Sequence, residues 1–459
     1  MRIKRFFIAI MAALFVFFAG ATLLTACKPI EEKENEGATA GVVYEIRGTE
    51  ACVVGYKGTE TEVRIAERYT FYLVTSIDTD AFRDCDHLTS VEIPNTVTTI
   101  GYSAFRDCDK LTSVVIPNSV TGIGEYAFYN CNKLTSVEIP DGVTSIGSGV
   151  FNNCGNLTSL VIGESVETID TYAFNNCYRL VEVVNKSTHI TVAKGSSSNG
   201  YVGRYALAVY NSSDTFEGTK LSNDNGYIIY TDGNEKILVG YNGTETDLVL
   251  PSYITKINQY AFRDCDGVTS VVIGNSVERI GDFAFYDCDG VTSVVIGDSV
   301  TNIGNNAFYA CDSLKSVVIG NSVERIGDLA FYNCDGLTSV EIPDGVTNIG
   351  NSAFRSCYNL TSVVIGDSVT SIGEHAFNNC SNLTSVEIPD SVTSIGWGVF
   401  YNCYNLTSVT FKDTSTWYIT TSSLDWENKT GGEETSVSTP STNATYFKST
   451  YSGSYWYKL

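Results

Sequence analysis

Leu111-Thr112-Ser113-Val114-Val115-Ile116-Pro117-Asn118-Ser119-Val120-Thr121-Gly122-Ile123-Gly124-Glu125-Tyr126-Ala127-Phe128-Tyr129-Asn130-Cys131-Asn132-Lys133 is a 23-residue unit of which the chain holds twelve copies. One cysteine marks the same place in every copy: Cys85, Cys108, Cys131, Cys154 and Cys177, then Cys265, Cys288, Cys311, Cys334, Cys357, Cys380 and Cys403. A unit this short cannot bury its own apolar side, so neighbours must stack and share one continuous core. The period therefore predicts a mainly β repeat solenoid.

Inside the unit, Leu111, Val114 and Ile116 have the spacing of a strand that turns three side chains to one side. Val120 and Ile123 form a second short apolar stretch, Gly124 permits a turn, and Ala127 with Phe128 places one large aromatic per repeat in the stack. The predicted spine is Phe82, Phe105, Phe128, Phe151 and Phe174 in a first array, and Phe262, Phe285, Phe308, Phe331, Phe354, Phe377 and Phe400 in a second.

The arrays are out of phase, because Cys177 and Cys265 lie 88 residues apart where four whole repeats would need 92. The separator holds Gly195-Ser196-Ser197-Ser198-Asn199-Gly200, read as a flexible polar stretch. Gly55-Tyr56-Lys57-Gly58-Thr59-Glu60-Thr61 is echoed by Gly240-Tyr241-Asn242-Gly243-Thr244-Glu245-Thr246, and each copy precedes an array. These segments fit β-hairpin caps over strand edges that would otherwise aggregate. Beyond Phe411 the repeat stops and the composition turns to Ser, Thr, Tyr and Trp.

At the N-terminus, Arg2, Lys4 and Arg5 precede an apolar run to Ala26, the pattern of an export signal. Leu24-Thr25-Ala26-Cys27 resembles the lipobox of bacterial lipoproteins, which implies lipidation at Cys27 and a stable membrane anchor. The expected plan is a signal peptide (1–26), a disordered tether (27–43), an N-terminal cap (44–76) and a first array of five repeats (77–180). A connector with second cap (181–256), a second array of seven repeats (257–411) and a C-terminal cap (412–459) follow.

With 52 acidic against 29 basic residues the net charge is −23, which repels nucleic-acid phosphates and anionic membrane surfaces. No nucleic-acid partner is expected.

The units resemble the BspA-like leucine-rich repeats of bacterial surface proteins, whose signature L-T-S-V-x-I-P…S-V-T-x-I-G…A-F-x-x-C covers about three quarters of this chain. The resemblance implies a curved, β-rich solenoid on a bacterial cell surface that binds macromolecules in adhesion or coaggregation, which with the export signal and lipobox gives an exported protein lipid-anchored at Cys27. It names no ligand and supplies no catalytic residue.

Such repeats use Asn or Cys at the marked place to satisfy loop backbone groups, so the cysteines are expected to be buried free thiols. Ladder neighbours would stand about 4.8 Å apart with side chains parallel, a poor geometry for disulfides. The 23-residue spacing without neighbouring histidines is equally poor for zinc. Asp84/Asp86, Asp107/Asp109, Asp264/Asp266 and Asp287/Asp289 flank ladder cysteines and could gather oxygens for calcium, but Asp is ordinary in turns and the pattern lapses at Asn130 and Asn153. His87, His189 and His375 have no plausible nucleophile beside them, and no phosphate-binding or dinucleotide fingerprint appears. Neither an enzyme nor a bound cofactor or metal is expected.

Strand positions between the buried ones face outward and define the expected ligand face: Ser270, Val272, Ser293, Val295, Ser316, Val318, Ser339 and Glu341. Its partner would be a protein of a host matrix or a neighbouring cell. The alternative is a glycan site on Trp417, Trp426 and Trp456, since aromatic rings stack on sugars; a passive spacer is the third reading.

Overall fold

The computed structural model describes residues 38–413, 415–421, 432–437, 439–450 and 452–458. Each repeat contributes one strand to each of two parallel ladders. In the first array the S-V-x strands Ser90–Glu92, Ser113–Val115, Ser136–Glu138 and Ser159–Ile162 line up as one ladder and the two-residue strands Thr99–Ile100, Gly122–Ile123, Ser145–Ile146 and Thr168–Ile169 as the other, each with a break in pairing between its second and third strands. Pairing keeps equivalent residues side by side, as in Ser136↔Ser159 and Val137↔Leu160. In the second array the S-V-x strands run from Ser270–Ile273 to Ser408–Phe411 with a break in pairing after Ser316–Val318, and the two-residue strands pair without a break from Lys256–Ile257 to Ser394–Ile395.

The glycine after the second strand is needed for close stacking rather than for its dihedrals. A Cβ on Gly124 would lie 2.5 Å from the backbone nitrogen of Tyr102. The phenylalanine spine forms as expected, with centroids 5.1 Å apart and planes 3° from parallel at Phe105–Phe128 and again at Phe308–Phe331. Rings at this separation and offset bury large apolar area at favourable geometry.

Each array opens with a hairpin that is itself a rung. Val42–Arg47 pairs antiparallel with Glu50–Tyr56, which pairs parallel with Tyr72–Ile77. In the second array, Tyr227–Asp232 and Glu235–Tyr241 do the same, with Leu221–Asp224 added outside. At the far end, Tyr455–Lys458 pairs antiparallel with Ser394–Ile395 and blunts the parallel edge.

Three expected boundaries move. The tether cannot reach residue 43, because Thr39 already donates its N–H to Arg64 O at 3.0 Å and a strand begins at Val42. The ladders begin inside the caps, where Glu62–Arg64 pairs with Ser90–Glu92 and Asp247–Val249 with Ser270–Val272. The first array also runs past residue 180: Glu182–Asn185 and Ala208–Tyr210 extend its ladder. The Gly195–Gly200 stretch is a packed turn, closed by Gly195 N–H donating to Gly203 O at 2.7 Å, and a Cβ on Gly200 would meet the Asp170 carbonyl oxygen at 2.6 Å. Residues 1–37, with the signal peptide and Cys27, lie outside the described residues.

Two large cores result, one per array, bridged by a small cluster of Val181, Ile228, Tyr230 and Val239. Buried Arg179 joins them through hydrogen bonds to Tyr260 O at 3.0 Å and Arg263 O at 2.8 Å. Arg263 in turn lies 4.1 Å from the Tyr178 ring centroid.

Candidate binding surface

Strand alternation exposes the predicted face. Val272, Val295 and Val318 are 37%, 39% and 57% exposed and pair directly with one another, while Val271, Val294 and Val317 beside them are buried. Ser316, Ser339 and Glu341 are exposed, and Ser270 and Ser293 are half-buried. The strip begins one rung earlier than expected. Val249, in the second cap, is 70% exposed and pairs with Val272. The signal was present in Asp247-Leu248-Val249-Leu250-Pro251, which has the repeat's strand pattern without its cysteine loop.

Towards the C-terminal end the strip passes into a hollow of about 450 Å³, lined by Glu341, Asp344, Val364, Asp367, Glu387 and Lys412 among others. Lys412 reaches back along the face to Asp367 at 2.7 Å and Glu387 at 3.3 Å. A smaller cleft of about 290 Å³ lies where the first array's strand face, at Ser136 and Ser159, meets the second cap at Leu221, Ser222 and Asn242.

The aromatic alternative requires correction. Trp417 and Trp456 are 1% and 0% exposed, packed against Phe411 and Phe447 with centroids 5.3 Å and 4.4 Å away. The end of the solenoid demands large side chains to cover its last Phe, so these rings are packed inside the cap and offer no face to a sugar. Trp426 lies outside the described residues.

The ladder cysteines are free, and contacts between consecutive repeats give them their purpose. Cys108 Sγ donates to Phe82 O at 3.1 Å, Cys131 to Phe105 O at 3.2 Å, and the pattern recurs to Cys403 and Phe377 O at 3.1 Å. The thiol thus gives a buried carbonyl a second donor from the next repeat, since Phe82 O and Phe377 O also accept the backbone N–H of Cys85 and Cys380, each at 3.3 Å. Burial pushes the thiols up, Cys85 to about 11 and Cys154, Cys357 and Cys403 to about 12, so they stay protonated near neutrality.

The acidic turn column is knitted together internally: Asn130 Nδ2 donates to Asp107 at 3.0 Å and Asp109 at 3.3 Å, and Asn333 Nδ2 to Asp312 at 3.1 Å. Partial burial and neighbouring carboxylates raise Asp109, Asp287 and Asp312. Among the described residues no group of three or more His, Cys, Asp or Glu is placed to hold a metal ion. Likewise, no described helix is long and apolar enough to cross a membrane.

The BspA type leucine rich repeat region model matches residues 71–198, 241–361 and 347–431, in six copies. Among curated proteins none matches the chain. Solved structures that it resembles include a leucine-rich repeat protein from Eubacterium ventriosum, 25% identical, covering 78% of this chain and 89% of the other with a TM-score of 0.44. A leucine rich cell surface protein from Faecalibacterium prausnitzii is 23% identical, covering 85% and 96%, with a TM-score of 0.31. One from Bacteroides ovatus is 22% identical, covering 82% and 99%, with a TM-score of 0.34. With more than half of its length matched by one repeat model and the solenoid built as that repeat requires, the chain belongs to the BspA-type leucine-rich repeat family.

Proposed function

We propose that this protein is a cell-surface adhesin, anchored by lipid at Cys27, that binds a protein of a host matrix or a neighbouring cell through the exposed strand face of its second array. The observation that carries this reading is the run Val249, Val272, Val295 and Val318, four outward valines on adjacent strands. Exposed apolar strips rimmed by polar residues are the usual mark of an interaction surface on a soluble domain. The serines and Glu341 beside them supply hydrogen-bonding groups at the strand repeat. Membership of the BspA-type family supports the proposed location.

The test is retention of residues 28–459 on arrays of matrix proteins and of host and bacterial glycans. The wild type should be retained by one or more proteins, and the triple variant Val272→Glu, Val295→Glu, Val318→Glu should lose that retention while keeping its thermal transition. Retention unchanged in the triple variant would move the site off this face. Retention by neither array would favour a passive spacer.

A further inference from the structure

The hollow at the C-terminal end of the strand face is unevenly charged. Four carboxylates line it, Glu341, Asp344, Asp367 and Glu387, against the single ammonium of Lys412. Lys412 engages Asp367 and Glu387. Glu341 makes no ion pair among the described residues, and Asp344 is held by only one oxygen, its Oδ1 accepting the Asp367 N–H at 2.8 Å. Between the two acidic pairs lies Val364, 59% exposed, continuing the line of Val318 at 57%.

The chain itself displays what this surface takes. Lys412 stands at the repeat position otherwise held by Pro or Gly, and Lys186 occupies the same position at the end of the first array. Lys186 also turns back along its own strand face, reaching Glu138 at 2.9 Å. Two independent arrays thus lay a lysine stem along the face and set its ammonium on the acidic strand column.

We propose that the Glu341/Asp344 half of the hollow captures a Lys or Arg side chain of an extended basic polypeptide, with Val364 and Val318 receiving apolar residues two positions from the basic one, on the same face of that chain. This rests on the reading of the strand face as a protein-binding surface and names the partner's chemistry. Charge complementarity selects the cation. The valine strip beside the carboxylates selects an extended chain, whose residues two apart share one face and present a cation and an apolar group together, over a small free cation. The Asp344 carboxylate is already oriented by the Asp367 N–H, so capture requires little further ordering.

The experiment measures fluorescence anisotropy of the labelled hexapeptide Val-Ser-Lys-Ser-Val-Ser, which sets Lys and Val on one face (the Lys/Val peptide), against its counterpart with Glu for Lys (the Glu/Val peptide) and free spermidine as competitor, on residues 28–459. Glu341→Gln with Asp344→Asn should weaken the Lys/Val peptide at least about tenfold. Both substitutions are isosteric, and the amide oxygen that replaces the Asp344 carboxylate can still accept the Asp367 N–H. Glu278→Gln with Glu324→Gln removes equal charge from exposed positions off the face and should change affinity less than about twofold. Equal weakening in both pairs, or equal binding of the Glu/Val peptide, would overturn the site. Displacement by spermidine at the peptide's own concentration would overturn the polypeptide as its ligand. A chain that binds the Lys/Val peptide at this site but is retained by no matrix or cell protein sinks the adhesion reading alone; one retained by proteins through the valine strip with no preference between peptides sinks only the present inference.

Discussion

The two arrays are built alike inside and differently outside. Their spines stack with similar spacing, and the same thiol-to-carbonyl bond links each repeat to the one before. On the strand face the first array alternates Glu92, Val115, Glu138 and Val161 and closes its acids with Arg64–Glu92 and Lys186–Glu138 pairs. The second lines up its valines and leaves Glu341 without an ion pair among the described residues. On the loop side the second array stacks Tyr286, Tyr309 and Tyr332 at 4.9 Å and 4.8 Å, with Arg263 and Arg355 over the end rings. The first offers only Arg106 over Tyr129 in that column. Columns that touch neighbours are fixed by packing, whereas exposed columns cost little to change. The larger differences between the arrays therefore lie on exposed columns, while the core varies conservatively, with Val268 and Val291 where the first array has leucine.

The comparison can be strained first by alkali. The ladder thiols are raised above their ordinary value of 9.0, Cys357 to about 12, mainly by burial. A folded value above the unfolded one means the unfolded chain loses protons first, so the stabilisation is complete below about pH 9 and is lost as pH rises towards 12. With seven ladder thiols against five, the second array should lose more. Denaturation midpoints at pH 8 and pH 10.5 check this, and Cys357→Ser, which keeps a donor for Phe331 O but does not titrate, should reduce the alkaline loss.

A single spine substitution should act equally in both arrays. Phe128→Ala and Phe308→Ala each open a cavity between two stacked rings and should cost about 3–5 kcal/mol, the two agreeing within about 1 kcal/mol. Chemical denaturation of the two variants gives the numbers, and a markedly smaller cost in one array would show that its core is less tightly coupled.

Smaller again is the junction. Arg179→Ala leaves the carbonyls of Tyr260 and Arg263 without their guanidinium donor and should cost about 2–3 kcal/mol. Since the bridging cluster is small, calorimetry of this variant should resolve two transitions where the wild type shows stronger coupling. An unsplit transition would mean that the hydrophobic bridge alone holds the arrays together.

The repeat made the core columns legible because every buried residue recurs at the same phase. Phe105, Cys108 and Val114 could be placed inside, and Val115 outside, from the order of residues alone. The tryptophans resisted such a reading because a terminal cap occurs once. Without a period, nothing in the sequence says whether Trp417 and Trp456 turn towards the last repeat or away from it. The extra rung at Val249 is hard to read from the sequence because the cysteine, the strongest repeat marker, is missing there.

The amino-acid order by itself thus determined the period, the buried and exposed columns and the presence of two arrays, since stacking at 23 residues reduces the whole fold to contacts between neighbours. The rest came from long-range packing. Arg179 meets residues more than 80 positions away, and Lys412 turns back across 45 residues to Asp367. Both contacts depend on how a broken phase and a last repeat pack, which no local pattern encodes.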